Sequence, residues 1–202
     1  MNNKLIIVFV VITAFLSSFA NAENIDPYQT QAQYAWSENA GWLNFAPNTG
    51  GGVHVYSDHL EGYVWAENIG WINLSPSNYG GVYNDGAGNL SGYAWGENVG
   101  WVNFNPRVPG SRIHYGVTID SNGKFSGYAW GENIGWIRFA SGNTSTVRTC
   151  MVGLEDLNNL AEYWLTSDPA ADLDSSGNVD NRDLGIFSSY WFDYCPNNWQ
   201  LK

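Results

Sequence analysis

A twelve-residue unit recurs four times along the chain, and it restricts the fold more than any other feature. Tyr34-Ala35-Trp36-Ser37-Glu38-Asn39-Ala40-Gly41-Trp42-Leu43-Asn44-Phe45 returns in altered form from Tyr63, Tyr93 and Tyr128, at spacings of 29, 30 and 35 residues. Every copy keeps Tyr-x-Trp, then x-Glu-Asn-x-Gly, then Trp-aliphatic-x-apolar. The centre is turn chemistry, because Asn tolerates left-handed backbone and Gly meets no penalty at positive φ. The flanks alternate. Tyr93 and Trp95 share one face with Gly92 and Ala94 on the other, and the return strand sets Trp101 and Asn103 against Val102 and Phe104. Period two on both sides of a short turn predicts a β-hairpin. Pro47, Pro76 and Pro106 follow three of the hairpins and stop the strands. A third strand is expected at Val53 to Tyr56, Gly81 to Tyr83 and Ile113 to Ile119, with turns such as Ser121-Asn122-Gly123 leading into the next hairpin. The fold class is therefore mainly β, a three-stranded antiparallel meander repeated about four times. A closed barrel, a propeller-like ring and an open stack all fit this pattern.

The repeated residues suggest two kinds of chemistry. Glu38, Glu67, Glu97 and Glu132 invite comparison with glycosidases, which use paired carboxylates. A catalytic pair is needed once, in one asymmetric site, so a Glu placed identically in four turns is expected to cap backbone amides or solvate a loop. The Trp pairs are expected in the core, since large aromatics are mostly buried. If exposed, the same rings would be platforms for sugar faces. His54, His59 and His114 lack metal-ligand spacing, and no Ser-centred nucleophile elbow is present. The unit is similar to Trp-rich Tyr-Ala-Trp-Gly-Glu-Asn segments of exported bacterial proteins of unassigned function, a resemblance that implies a repeat family and no activity.

Charge removes whole classes of function. Eight basic residues stand against 19 acidic ones, a net charge of −11 in 202 residues. Phosphate binding needs basic clusters, so a chain this acidic is expected to be a poor partner for nucleic acid or anionic lipid. Lys4, the apolar stretch Leu5 to Leu16 and Ala20-Asn21-Ala22 form the three parts of a signal peptide over residues 1–22. No second long apolar stretch follows, so no membrane span is expected after its removal. The protein is expected to be secreted, extracellular or periplasmic. In that oxidising setting Cys150 and Cys195, the two cysteines of the chain, are expected to pair. Closing that loop contributes on the order of 4 kcal/mol in the chain-entropy model.

The pattern changes near residue 145, dividing a β domain (23–145) from a C-terminal one (146–202). Leu157, Leu160, Ala161 and Trp164 lie at i, i+3, i+4 and i+7, and Leu184, Phe187, Ser188 and Trp191 repeat that spacing 27 residues later. This is a small duplicated α module. Ahead of the second helix stands the sequence from Asp172 to Asp183, an EF-hand-like calcium loop with Gly177 at position 6. Its oxygen ligands would be Asp172, Asp174, Ser176, Asn178 through its carbonyl, Asp180 through water, and the closing Asp183. The general motif has Asp or Asn at position 5, where Ser176 stands, and Glu at 12, one methylene longer than Asp183.

Duplicated loop-helix units closed by Asp resemble the type I dockerin family over about residues 146 to 195. That resemblance implies a calcium-dependent module that docks exported proteins, often polysaccharide-degrading enzymes, onto cohesin modules. The first loop, Ser145 to Asp156, departs from the pattern. Ser145, Val147 and Thr149 replace the early ligands, and Cys150 sits where Gly belongs. One Ca2+ site is expected. Cohesin contacts in the family lie near loop positions 10 and 11, here Leu154-Glu155 and Asn181-Arg182, two pairs that are not self-similar. The leading expectation is an exported noncatalytic protein with a calcium-binding docking module. The alternatives are a carbohydrate-binding protein, with polysaccharide as partner, or a small glycoside hydrolase carrying a dockerin.

Overall fold

A computed structural model describes residues 24–139, 147–196 and 199–201. The expected signal peptide and the domain boundary at 145/146 lie outside the described residues. The strands are β1 (Tyr34–Ser37), β2 (Gly41–Asn44), β3 (Val53–Val55), β4 (His59–Ala66), β5 (Gly70–Asn73) and β6 (Gly81–Asn84). They continue with β7 (Leu90–Gly96), β8 (Gly100–Asn103), β9 (Thr118–Ile119), β10 (Phe125–Ser126), β11 (Tyr128–Gly131) and β12 (Gly135–Arg138). Helices α1 (Leu154–Glu162) and α2 (Asn181–Ser189) follow.

The hairpins β1–β2, β4–β5, β7–β8 and β11–β12 close into an eight-stranded antiparallel barrel. In all four, the two Trp residues of the repeated unit sit directly opposite each other: Trp36 and Trp42, Trp65 and Trp71, Trp95 and Trp101, Trp130 and Trp136. The joins between hairpins also share one register. Asn44 pairs with Trp65, Asn73 with Trp95, Asn103 with Trp130, and Arg138 returns to Trp36. Closure leaves those eight strands no free edge. Strand β3 pairs with β4, β6 with both β4 and β7, and β9 with β10. The third strand of the third copy is shorter than its sequence suggests, because Ile113 is exposed and only Thr118–Ile119 is extended.

The interior is filled by the small and aliphatic face of each hairpin: Ala35 and Leu43, Val64 and Ile72, Ala94 and Val102, Ala129 and Ile137. Phe45, Leu74, Phe104 and Phe139 fill the next layer, with Phe139 at 5.4 Å from Phe45 and 5.8 Å from Phe104 between ring centroids. The Trp pairs stand on the outer face, contrary to the expectation that they form the core. Trp42 is 48% exposed and Trp136 39%. The physical reason is volume: an eight-stranded interior is just wide enough for side chains to fill it, and the two Trp and one Tyr of four hairpins exceed that space.

Chain crossings below three of the four hairpins demand glycine. Gly62, Gly92 and Gly127 have φ of +96°, +87° and +88°, and a Cβ on any of them would overlap the carbonyl oxygen of Gly52, Gly81 or Gly116 respectively. Asn24 finishes the barrel from the N-terminal side. Its carboxamide accepts from Val55 N and donates to Val55 O, both at 2.8 Å, and its backbone carbonyl accepts from Cys150 N at 2.6 Å.

The second core gathers Val152, Leu160, Ala171, Val179, Phe187 and Trp199 around the Cys150–Cys195 disulfide, whose Cα atoms are 5.3 Å apart. Its two halves exchange equivalent bonds. Leu165 N donates to Val179 O at 3.0 Å, and Phe192 N to Val152 O at 3.0 Å, each pair 27 residues from its counterpart. No helix among the described residues is long and apolar enough to cross a membrane.

Two outcomes check this architecture. Gly92→Ala should lower the stability of the barrel by about 3 kcal/mol, through strain at its φ and the carbonyl overlap. Gly110→Ala, at φ +80° with open space around it, should cost about 1 kcal/mol, both read as shifts in urea midpoint. Intrinsic Trp emission should be quenched by acrylamide in the native state, whereas a core location would protect it.

Candidate functional site

The acidic residues ahead of α2 converge. Ligand oxygens of Asp172, Asp174 and Asp183 all lie within 4.8 Å of one another, an arrangement able to hold a metal ion. Local backbone bonding builds the cluster. Asp183 is the N3 residue of α2, and its Oδ2 accepts from Asp180 N at 2.7 Å in a capping box. Its Oδ1 accepts from Leu173 N at 2.6 Å and Asp174 N at 3.2 Å, which folds the loop back onto the helix start. Asp172 receives Ser176 N at 3.0 Å and Gly177 N at 2.7 Å. Ser175 and Gly177, at φ +56° and +90°, make the tight reversal that these bonds need.

The site is graded in burial: Asp183 is fully buried, Asp172 nearly so and Asp174 exposed. The Ser176 hydroxyl beside Asp174, helped by the Ser176 amide, holds the Asp174 carboxyl below the usual range. All donors are hard oxygens, with no sulfur or imidazole in the cluster, the set that suits oxygen-seeking divalent cations. Without a cation the three carboxylates repel one another. Of the other expected ligands, the Ser176 hydroxyl donates to Asn178 O at 3.1 Å, and Asp180 accepts from Arg182 N at 2.8 Å as the N-cap of α2.

The first loop is occupied otherwise. Cys150 is in the disulfide and the Thr149 hydroxyl donates to Asn24 O at 3.1 Å. Asp156, the closing residue, accepts from Gly153 N at 3.0 Å and from Trp199 Nε1 at 2.9 Å. The Trp199 bond was not legible in the sequence, because it spans 43 residues. Of the expected partner contacts, Leu154 and Glu155 open α1 and Asn181 and Arg182 open α2, and all four are exposed.

A second feature surrounds the barrel. Each outward Trp pair meets at 4.7 to 4.9 Å between centroids, mostly edge to face, and each second Trp also touches the Tyr of its own unit at 5.9 to 6.3 Å. Such pairs contribute about 0.5–1.5 kcal/mol each beyond burial, which fixes the rings in place. Glu38, Glu67 and Glu97 project to solvent, while Glu132 accepts from Trp101 N at 3.3 Å. The adjacent Asn links the turns instead: Asn39 Nδ2 donates to Ile134 O, Asn68 Nδ2 to Ala40 O and Asn98 Nδ2 to Ile69 O, at 3.1 to 3.2 Å. Comparison with known proteins finds no matching family model, no matching curated protein and no matching solved structure.

Burial pushes the Asp156 carboxyl up, against the lowering effect of the Trp199 and Gly153 hydrogen bonds. Its folded value therefore lies above the unfolded one. The stability it contributes is complete below the ordinary Asp value of about 3.9 and is lost as pH rises through the folded value. Carboxyl NMR titration should place the Asp156 midpoint above that ordinary value, and Trp199→Phe should raise it further. A midpoint lowered by Trp199→Phe would contradict the assigned bond.

Proposed function

We propose that this chain is an exported, noncatalytic protein in which the barrel is carried by a calcium-binding, dockerin-like docking module that attaches it to a cohesin-like module of a partner protein. The observation that carries the reading is the convergence of Asp172, Asp174 and Asp183 at the start of α2. These are positions 1, 3 and 12 of the calcium loop, and Gly177 supplies the turn at position 6. Bound Ca2+ would supply the positive charge that the three carboxylates lack, with Ser176 and the Asn178 carbonyl completing an oxygen shell. In this reading Leu154, Glu155, Asn181 and Arg182 offer the docking contacts, and their exposure at the two helix starts supports it.

A second reading, glycan binding by the barrel, is favoured by the outward position of the indoles. Rigid aromatic faces held on a sheet are suited to stack on the C–H faces of pyranose rings. The two readings are compatible, since one concerns the C-terminal module and the other the barrel wall.

Titration calorimetry of the mature chain with CaCl2 should give a stoichiometry near one. Calcium at about a hundredfold over Kd should stabilise the C-terminal module by about 2.7 kcal/mol. Asp174→Ala, at an exposed position, should abolish most of the heat without unfolding the chain, while Asp156→Asn should leave calcium affinity unchanged. Capture of a surface protein from the producing cell should disappear with chelator. A stoichiometry near two, or no calcium-dependent heat, would refute the single-loop reading.

A further inference from the structure

Two of the grooves in the aromatic wall of the barrel, neither of them part of the acidic loop, are alike. One, about 690 Å³, lies between the fourth and first hairpins, and the other, about 700 Å³, between the first and second. Their aromatic walls and Glu-Asn pairs match by position. In the first, Tyr128, Trp130 and Trp136 of one hairpin face Trp36, Glu38 and Asn39 of the next. In the second, Tyr34, Trp36 and Trp42 face Trp65, Glu67 and Asn68. Trp36 lines both, so the grooves run side by side around one indole.

We propose that these paired grooves bind one neutral polysaccharide chain, with Trp36 as the shared stacking wall. The inference rests on the glycan reading and adds to it a site and a ligand class. Three observations carry it. First, each groove joins indole faces to one carboxylate and at least one carboxamide, the combination that meets a sugar ring's C–H face and its hydroxyls together. Second, the rings are held before any ligand arrives: the Trp36–Trp42 and Trp130–Trp136 pairs sit at 4.7 and 4.9 Å on strands of fixed register. Little side-chain freedom is left to lose on binding. Third, charge selects against acidic glycans. The chain carries −11, and exposed Glu38 and Glu67 lie in the grooves, with Arg138 as the single basic side chain lining the first.

Aromatic grooves also receive proline-rich peptides. A run of prolines presents carbonyl acceptors and no N–H, so Glu38 and Glu67 would face acceptors with nothing to accept. Hydroxyls donate as well as accept, and satisfy both members of each Glu-Asn pair. Two equivalent grooves flanking one ring also suit a repeating ligand, since binding in the first raises the effective concentration at the second. The groove at Trp95 and Trp101 is smaller, about 410 Å³, and the preceding loop crowds it: a Cβ at Gly80 would press into the Trp101 ring.

The test is affinity electrophoresis and NMR of the mature chain with calcium present. The probes are hydroxyethylcellulose, galactomannan, soluble xylan, polygalacturonate and an oligoproline. At least one neutral polysaccharide should retard the protein, and polygalacturonate should not. The indole N–H resonances of Trp36, Trp42 and Trp136 should shift while that of Trp164 stays. Trp36→Ala should weaken binding by about tenfold or more, and Tyr83→Ala, an exposed ring outside both grooves, should leave it within about twofold. Trp36→Phe, which keeps an aromatic wall, should lose less than Trp36→Ala, and this separates stacking from a folding defect. Unchanged binding in Trp36→Ala would overturn the site and leave the glycan reading standing. No retardation by any neutral polysaccharide would overturn both. Oligoproline shifting the same indoles in the absence of glycan binding would overturn the ligand class.

Discussion

The narrowness of an eight-stranded barrel governs the rest of the molecule. Side chains alternate along every strand, so one face of each hairpin must fit inside the ring. The inward positions of the four first strands are Ala35, Val64, Ala94 and Ala129, all fully buried. With such small residues inside, the opposite face is free to carry two tryptophans and a tyrosine per hairpin. The aromatic girdle is thus a consequence of closure, and its uniformity follows from the shared register of the joins between hairpins. The same closure explains why the turns are alike. Asn39, Asn68 and Asn98 each reach the preceding turn's carbonyl, so the Glu-Asn-x-Gly sequence is a circumferential tie as well as a hairpin turn.

At the other end of the barrel the chain crosses itself at close range, and the repeated Gly62, Gly92 and Gly127 are the places where it does so. In the first copy Gln33 stands at that position, and Arg148 N donates to Ala32 O at 2.8 Å, while Gly123 makes a further close approach, to Thr149 O. Thr149 N donates to Gly123 O, Phe125 N donates to Val147 O, and Ile25 forms an antiparallel bridge with Thr149. The ring is therefore completed by segments from both ends of the β region, and Asn24 is their common partner. Its carboxamide also donates to Cys195 O at 3.2 Å. One buried side chain thereby holds the third strand of the first copy, the N-terminal segment and the disulfide together. An unpaired amide left in that position would be costly, because each of its bonds is sheltered from water.

Much of this was legible from local chemistry. The hairpins, their turns and the stops after Pro47, Pro76 and Pro106 follow from period-two alternation and from Gly and Asn backbone freedom. The helix starts follow from spacing and from Asp180 and Asp183, whose capping roles are local. The outward position of the tryptophans runs against the general tendency of large aromatics to be buried. Yet the alternation held the correcting signal: the face opposite each Trp pair is apolar in every copy and built around Ala or Val. When both faces are apolar, the smaller one belongs in a narrow barrel. Contacts such as Trp199 to Asp156 and Asn84 Nδ2 to Tyr194 OH, at 3.1 Å, span 43 and 110 residues and have no local signature. They are products of the closed fold.

The arrangement of these long-range contacts bears on how the two parts of the molecule depend on each other. The hydrogen bonds that draw the carboxylates of Asp172 and Asp183 into the cluster are made within residues 172–183. The joint to the barrel uses different residues: Asn24, Asn84, Thr149, Cys150, Tyr194 and Cys195. The disulfide lies at that joint and closes the module at both its ends. A metal ion held by the three carboxylates would therefore act on the loop and on the start of α2, where Asp183 belongs to the capping box. It would leave the covalent and hydrogen-bonded seam to the barrel in place. An acidic cluster placed this way is shaped independently of the aromatic surface, which the barrel's own closure holds fixed.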